Sequence, residues 1–122
     1  MGTLDRFIQL FLKTEIRRVL LIMAIVIVID IVTGLINAFL QKELNSTKMR
    51  EGLVKKFYEF VIVLIGYLLD VLLSTGTTVC IAVALFYVIE EMLSIIENTS
   101  KYVPYPEIIT KTLDKLKEHK EE

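Results

Sequence analysis

A largely apolar run of twenty-two residues, Val19 to Leu40, limits what this chain can become. At ~1.5 Å of rise per residue it forms a helix about 33 Å long, enough to cross a hydrocarbon core of roughly 30 Å. It follows Arg17 and Arg18 as a signal sequence would, but no small-residue cleavage site of the A-x-A kind follows, so the segment reads as retained. A second run, Phe57 to Leu73, is interrupted by Glu59 and Asp70. A third is apolar from Val79 to Ile89 and amphipathic from there to about Asn98. Hydrophobic residues make up 54% of the 122, more than a small soluble core could bury. The expectation is an all-α membrane protein with about three transmembrane helices, near residues 19–40, 55–73 and 77–96, forming one unit over 19–98.

The flanks differ in character. Leu4, Phe7, Ile8, Phe11 and Leu12 recur at helical spacing while Asp5, Arg6, Gln9 and Lys13 take the other face, which predicts an amphipathic interfacial helix over residues 1–18. A plain extension of the first span that packs on a neighbour is the alternative. Between the second and third runs stands STGTT, an uncharged turn short enough to force antiparallel neighbours, with Gly76 suited to the reversal. After the third run the prolines of YVPYP end the helix. Pro106 then opens a short charged helix in a lysine-rich tail over 99–122, with a narrow stripe of Ile108, Ile109, Leu113 and Leu116.

Lysine and arginine set the orientation. The N-terminal segment holds four, the first loop (QKELNSTKMREGLVKK) five, the STGTT turn none and the tail five. With three spans the first loop and the tail share a side, so the N-terminus of a multi-pass membrane protein is expected outside and the C-terminus in the cytoplasm. Arg17 and Arg18, beside the first span, oppose this assignment; a hairpin with a re-entrant first helix is the alternative.

Asp30 breaks the first run near its middle, and helical geometry gives it company. Asp30, Thr33, Gly34, Asn37 and Gln41 fall on one face; so do Glu59, Gly66 and Asp70 in the second run, and Cys80, Ala84, Tyr87 and Glu91 in the third. Each helix therefore carries one stripe of small and polar residues, for helix packing or pore lining. Packing is the better reading for Gly34, Gly66 and Ala84, because small residues let helices approach closely. A carboxylate at a bilayer centre costs about 2.5–3.5 kcal/mol on insertion scales, so Asp30 is expected to face protein or water. No basic residue lies inside a span to pair with it. Glu59, Asp70, Glu90 and Glu91 lie nearer span ends, where solvent or first-loop lysines serve as partners and helix-end anchoring is the default.

Catalytic patterns are absent. There is no Gly-rich phosphate loop, His119 stands alone in the charged tail, and no Ser, Cys or His group recurs at a catalytic spacing, so no enzyme, cofactor or metal is expected. The single cysteine, Cys80, excludes an intrachain disulfide and reads as a buried packing thiol. Basic and aromatic residues do not interleave as in nucleic-acid binders, and the lysines beside the spans fit topology and membrane lipid better.

Six segments in order, D-I-V-T-G (Asp30 to Gly34), K-E-L-N-S (Lys42 to Ser46), G-L-V-K-K (Gly52 to Lys56), L-L-D (Leu68 to Asp70), Y-V-I-E-E-M-L-S-I-I-E-N (Tyr87 to Asn98) and V-P-Y-P-E (Val103 to Glu107), resemble the small holins of bacteriophage lysis and toxin-secretion loci. The resemblance covers about Ile29 to Lys117. It implies a small bacterial inner-membrane protein that accumulates, forms a homo-oligomer and opens lesions through which an endolysin or a large toxin leaves the cytoplasm, without direct contact with that cargo. Asp30, Thr33, Gly34, Glu90, Ser94, Glu97 and Asn98 match shared positions of the family, which brings no catalytic residue. The residues alone also allow an ion- or proton-coupled transporter using Asp30, or a non-conducting membrane adaptor whose tail recruits a partner.

Overall fold

A computed structural model describes residues 2–5 and 14–121 of the chain, and every regular element among them is helical. Four helices follow the short turn at residues 3–5: α1 (Thr14–Leu40), α2 (Ser46–Leu73), α3 (Thr78–Thr99) and α4 (Glu107–Glu121). The expected interfacial helix over residues 1–18 rests mostly on residues 6–13, which lie outside the described residues.

The first expected span becomes most of α1, a proline-free helix of 27 residues. Lys42, at φ 57°, turns the chain out of it, and the amides of Gln41, Lys42 and Glu43 close on the carbonyls of Asn37, Phe39 and Ala38. The next element departs from expectation, since α2 starts at Ser46 and leaves a loop of only residues 41–45. Its N-cap is Asn45, whose side-chain oxygen accepts from the amides of Thr47 (2.9 Å) and Lys48 (3.2 Å). Most of the charged stretch TKMREGLVKK consists of good helix formers, so a positive segment read as loop continues the helix instead.

The STGTT turn is as short as its composition demands. Ser74 and Gly76 both take left-handed φ values, 56° and 70°, and the Thr75 amide bonds back to the Asp70 carbonyl. At the far end of α3, the Thr99 hydroxyl meets the Tyr105 hydroxyl at 2.7 Å, tying the YVPYP corner to the helix it follows. Beyond it α4 seats Leu113 in the structure and leaves Ile108 and Leu116 exposed.

Helix α3 packs against both α1 and α2. It runs parallel to α1, in a register that sets Asp30 beside Ser94 and Thr33 beside Asn98. It runs antiparallel to α2, with Gly66 facing Val79 and Cys80. Ile16, Met23, Val26, Val63, Tyr67, Cys80, Ala84 and Val88 build the shared core. Outward, Leu21, Ile25, Val28 and Val32 of α1 and Phe57, Ile62, Ile65 and Leu72 of α2 are exposed, an apolar surface far larger than a soluble monomer presents.

Two helices, Glu15–Leu40 and Thr78–Thr99, are long and apolar enough to cross a membrane by length and composition. The second expected span does not join them, because Lys56, Glu59 and Asp70 all fall within its apolar stretch.

Candidate functional site

Asp30 has a partner that its own helix does not reveal. Lys56 of α2 places its ammonium 2.7 Å from Asp30 Oδ2 and 2.9 Å from Glu91 Oε2 of α3. The expectation that no basic residue lies inside a span to pair with Asp30 is corrected, because Lys56 stands within a helix of the bundle. Lys56 read as the last residue of a loop, but the early start of α2 carries it on a helix into the bundle, and its long stem spans the remaining gap. Glu91 takes one of the first-loop lysines expected as its partner, but it does so as a buried carboxylate inside the bundle, and only its reading as a helix-end anchor is corrected.

The other oxygen of Asp30 is also satisfied. Oδ1 accepts from the Ser94 hydroxyl (2.7 Å) and from Asn98 Nδ2 (3.0 Å). The same Asn98 nitrogen donates to Thr33 Oγ1 at 3.0 Å, and Asn37 Nδ2 donates to the Asn98 carbonyl at 2.6 Å. Three helices thus meet on one carboxylate. Such a network fixes register and orientation more than it adds net stability, because burying the charges offsets much of their attraction.

Of the α1 stripe, Asp30, Thr33 and Asn37 join this network, while an added Cβ on Gly34 would reach Asn98 Nδ2 at only 3.8 Å, an ordinary contact. Gln41 stands exposed beyond it. Ser94 and Asn98 were matched through family resemblance without a role. Their signal was periodicity, since Glu91, Ser94 and Asn98 extend the α3 stripe at i, i+3 and i+7.

Glu59 is buried against the same cluster. It lines a polar cavity of about 250 Å³ with Asp30, Lys56, Glu91 and Ser94, and its Oε2 is buried with no hydrogen-bond partner among the described residues. Tyr87 is half-buried and edges against Phe86 at 5.3 Å between ring centroids.

Asp70 belongs to a different construction. It is fully buried, and from α2 it caps α3: Oδ1 accepts from Thr75 Oγ1 (2.5 Å) and the Val79 amide (3.0 Å), Oδ2 from the Cys80 amide (2.7 Å). Thr77, the residue at the cap position of α3, makes no such bond with its own side chain. Simple helix-end anchoring is thus replaced by a carboxylate on the free amides and positive dipole end of the next helix. Gly66, one turn earlier, would bring an added Cβ to 3.4 Å from Val79 Cγ1 and 3.5 Å from Cys80 Cα, and Ala84 is fully buried, so within this chain both lie at close helix contacts.

Among the described residues no group of three or more His, Cys, Asp or Glu is disposed to hold a metal ion. What the arrangement does chemically is hold helices in register through a polar interior.

Comparison with known proteins adds the family. Residues 7–118 match the bacteriophage holin family. A probable holin of Bacillus phage phi105 is 36% identical over 93 residues, covering 75% of this chain and 69% of its own. The uncharacterized protein YqxH of Bacillus subtilis is 33% identical over 96 residues, covering 78% and 69%. An uncharacterized 14.9 kDa protein from the nagH 3′ region of Clostridium perfringens is 35% identical over 103 residues, covering 83% and 78%. No solved structure matches the chain significantly. With the family match running through every helix of the bundle, this chain belongs to the bacteriophage holin family.

Proposed function

We propose that the protein acts as a holin in the bacterial inner membrane, associating with copies of itself and opening lesions through which an endolysin or a large toxin leaves the cytoplasm. Membership of the holin family carries this reading. In it α1, α2 and α3 all cross the bilayer, α2 turning Lys56, Glu59 and Asp70 toward the other two helices. The N-terminus lies outside and the lysine-rich tail lies in the cytoplasm, where positive loops stay.

The geometry supports a two-state mechanism. In one chain Asp30, Lys56 and Glu91 satisfy one another, so lipid meets mainly apolar faces and a monomer is tolerated as it accumulates. When copies gather, the same groups exchange their intramolecular partners for water and line a wet lumen, and hydration then replaces the lost contacts. Opening therefore requires the Asp30–Lys56–Glu91 cluster to separate.

Inducible expression in a bacterium tests this. A holin produces an abrupt loss of membrane potential with escape of a co-expressed cytoplasmic endolysin. The polar cavity beside Glu59 favours a second reading, an ion- or proton-coupled transporter, which instead gives selective flux in viable cells. Neither outcome leaves a non-conducting adaptor.

A further inference from the structure

Helix α4 (Glu107–Glu121) carries a pattern that neither family membership nor the polar cluster uses. Asn37, near the end of α1, donates to the carbonyl of Asn98, near the end of α3, so the two helices finish together on one side of the bundle. From that level the chain turns at once. The amides of Tyr102 and Val103 both bond to the Thr99 carbonyl, and the Tyr105 hydroxyl meets the Thr99 hydroxyl at 2.7 Å, which holds the start of α4 beside the end of α3.

Around α4 the side chains are sorted by kind. Ile108, Ile109, Thr112, Leu113 and Leu116 recur at i, i+1, i+4, i+5 and i+8, which sets them on one face of the helix. Thr112 bonds its hydroxyl to the Ile108 carbonyl at 2.7 Å, so its donor is already used within the helix. Glu107, Asp114 and Glu118, at i, i+7 and i+11, share the opposite face, where Lys111 pairs with Glu107 at 3.0 Å. Lys115 stands at the margin between the two. Of the apolar residues only Leu113 is buried; Ile108, Ile109 and Leu116 are exposed, as are Tyr102 and Val103 of the corner.

We infer that α4 lies along the phospholipid surface, with Ile108, Ile109 and Leu116 at the boundary of the acyl chains, Lys115 on the lipid phosphates, and Glu107, Asp114 and Glu118 turned to water. An apolar face set against a charged one is what a helix needs to lie in an interface. Negative lipid phosphates drive the acids to the far side, while a lysine at the margin lays its stem on apolar chains and reaches the phosphates with its ammonium. Lipid is the occupant because α4 starts within hydrogen-bonding reach of the end of α3, so the surface that α3 leaves is the apolar medium next to it. Held there, α4 also fixes the height of Ser94 and Asn98 beside Asp30. The inference rests on α3 crossing the membrane as proposed above.

The chain has no tryptophan, so a single introduced one reports its own surroundings. Ile108→Trp and Glu118→Trp place that reporter on opposite faces of α4 in the full chain, and both native residues are exposed, so the fold accepts either change. The variants are reconstituted into vesicles of phosphatidylcholine and phosphatidylglycerol, with and without phosphatidylcholine brominated on its acyl chains. Ile108→Trp should emit blue-shifted light and be quenched by brominated lipid severalfold more than Glu118→Trp, which should emit as in water. Water-like emission from both, or equal lipid quenching of both, overturns the proposal. Blue-shifted emission of Ile108→Trp without lipid quenching overturns it in favour of a second copy on that face. Flotation of the carbonate-washed vesicles separates the two levels: a chain that does not float with lipid removes the membrane reading, whereas one that floats with Ile108→Trp in water removes only the interfacial helix.

Discussion

Asp30 and Asp70 are both buried carboxylates in apolar helices, and they are held in opposite ways. Asp70 takes its bonds from the backbone amides and threonine hydroxyl of the segment that immediately follows it, so its partners come with the turn and cannot leave while α3 is a helix. Asp30 takes its bonds from side chains on two other helices, Lys56, Ser94 and Asn98, each able to rotate away. Lys56 also remains partly exposed at 18%, whereas Asp70 is at 0%. A carboxylate bonded to backbone holds a fold; one bonded to mobile side chains, with a partner already touching solvent, can hold a state.

The largest effect should come from Lys56→Met, which leaves Asp30 and Glu91 buried without a cation. Breaking a buried pair from one side costs about 3–5 kcal/mol, and the partial exposure of Lys56 puts the expected loss toward the lower end. Denaturant unfolding in micelles measures it, and combining Lys56→Met with Asp30→Asn and Glu91→Gln should recover most of the loss. No recovery in the triple variant would mean that the cluster does not act through charge.

Next comes Asp70→Ala, which strips the amides of Val79 and Cys80 of their acceptor. A lost cap costs about 1–2 kcal/mol, and here a buried hydroxyl contact goes with it, so a loss near ~2 kcal/mol is expected. Protein level should fall while lysis timing, normalised to that level, stays put. Asp30→Asn should do the reverse, keeping the acceptor for Ser94 and Asn98 but weakening the hold on Lys56, so that lysis timing shifts at equal protein level. If Asp30 and Asp70 variants alter timing alike, the distinction between them fails.

The smallest effects sharpen the packing side. Gly66→Ala meets ordinary van der Waals distances and should change stability by less than about 0.5 kcal/mol, whereas Gly66→Leu must push α2 from α3 and should cost roughly 1–3 kcal/mol. Gly34→Leu, where a Cβ has more room, should cost less than Gly66→Leu in the same unfolding assay.

Much of this molecule was legible before any coordinates. Hydrophobic runs determined the helical class, and the uncharged STGTT together with the YVPYP corner determined where α3 begins and ends, because turn chemistry and proline act locally. The stripe containing Asp30, Thr33 and Asn37 followed from a period of 3.6 residues, which any helix must obey. Six ordered segments pointed to the holin family, and the match over residues 7–118 bears that out.

Partners were not legible, because they depend on register between helices. Nothing local to Asp30 names Lys56, 26 positions away, or Ser94, 64 away. The charges of TKMREGLVKK suggest a solvated loop and so conceal Lys56 further, whereas the Asn45 cap and helix propensity start α2 before it. The sequence by itself determined which residues share a face of one helix. Only the tertiary structure decided that the three faces close on one another within a single chain, because the parallel setting of α1 on α3 and the antiparallel setting of α2 are chosen by packing over the whole bundle, and a side chain five atoms long crosses the gap only in that one register.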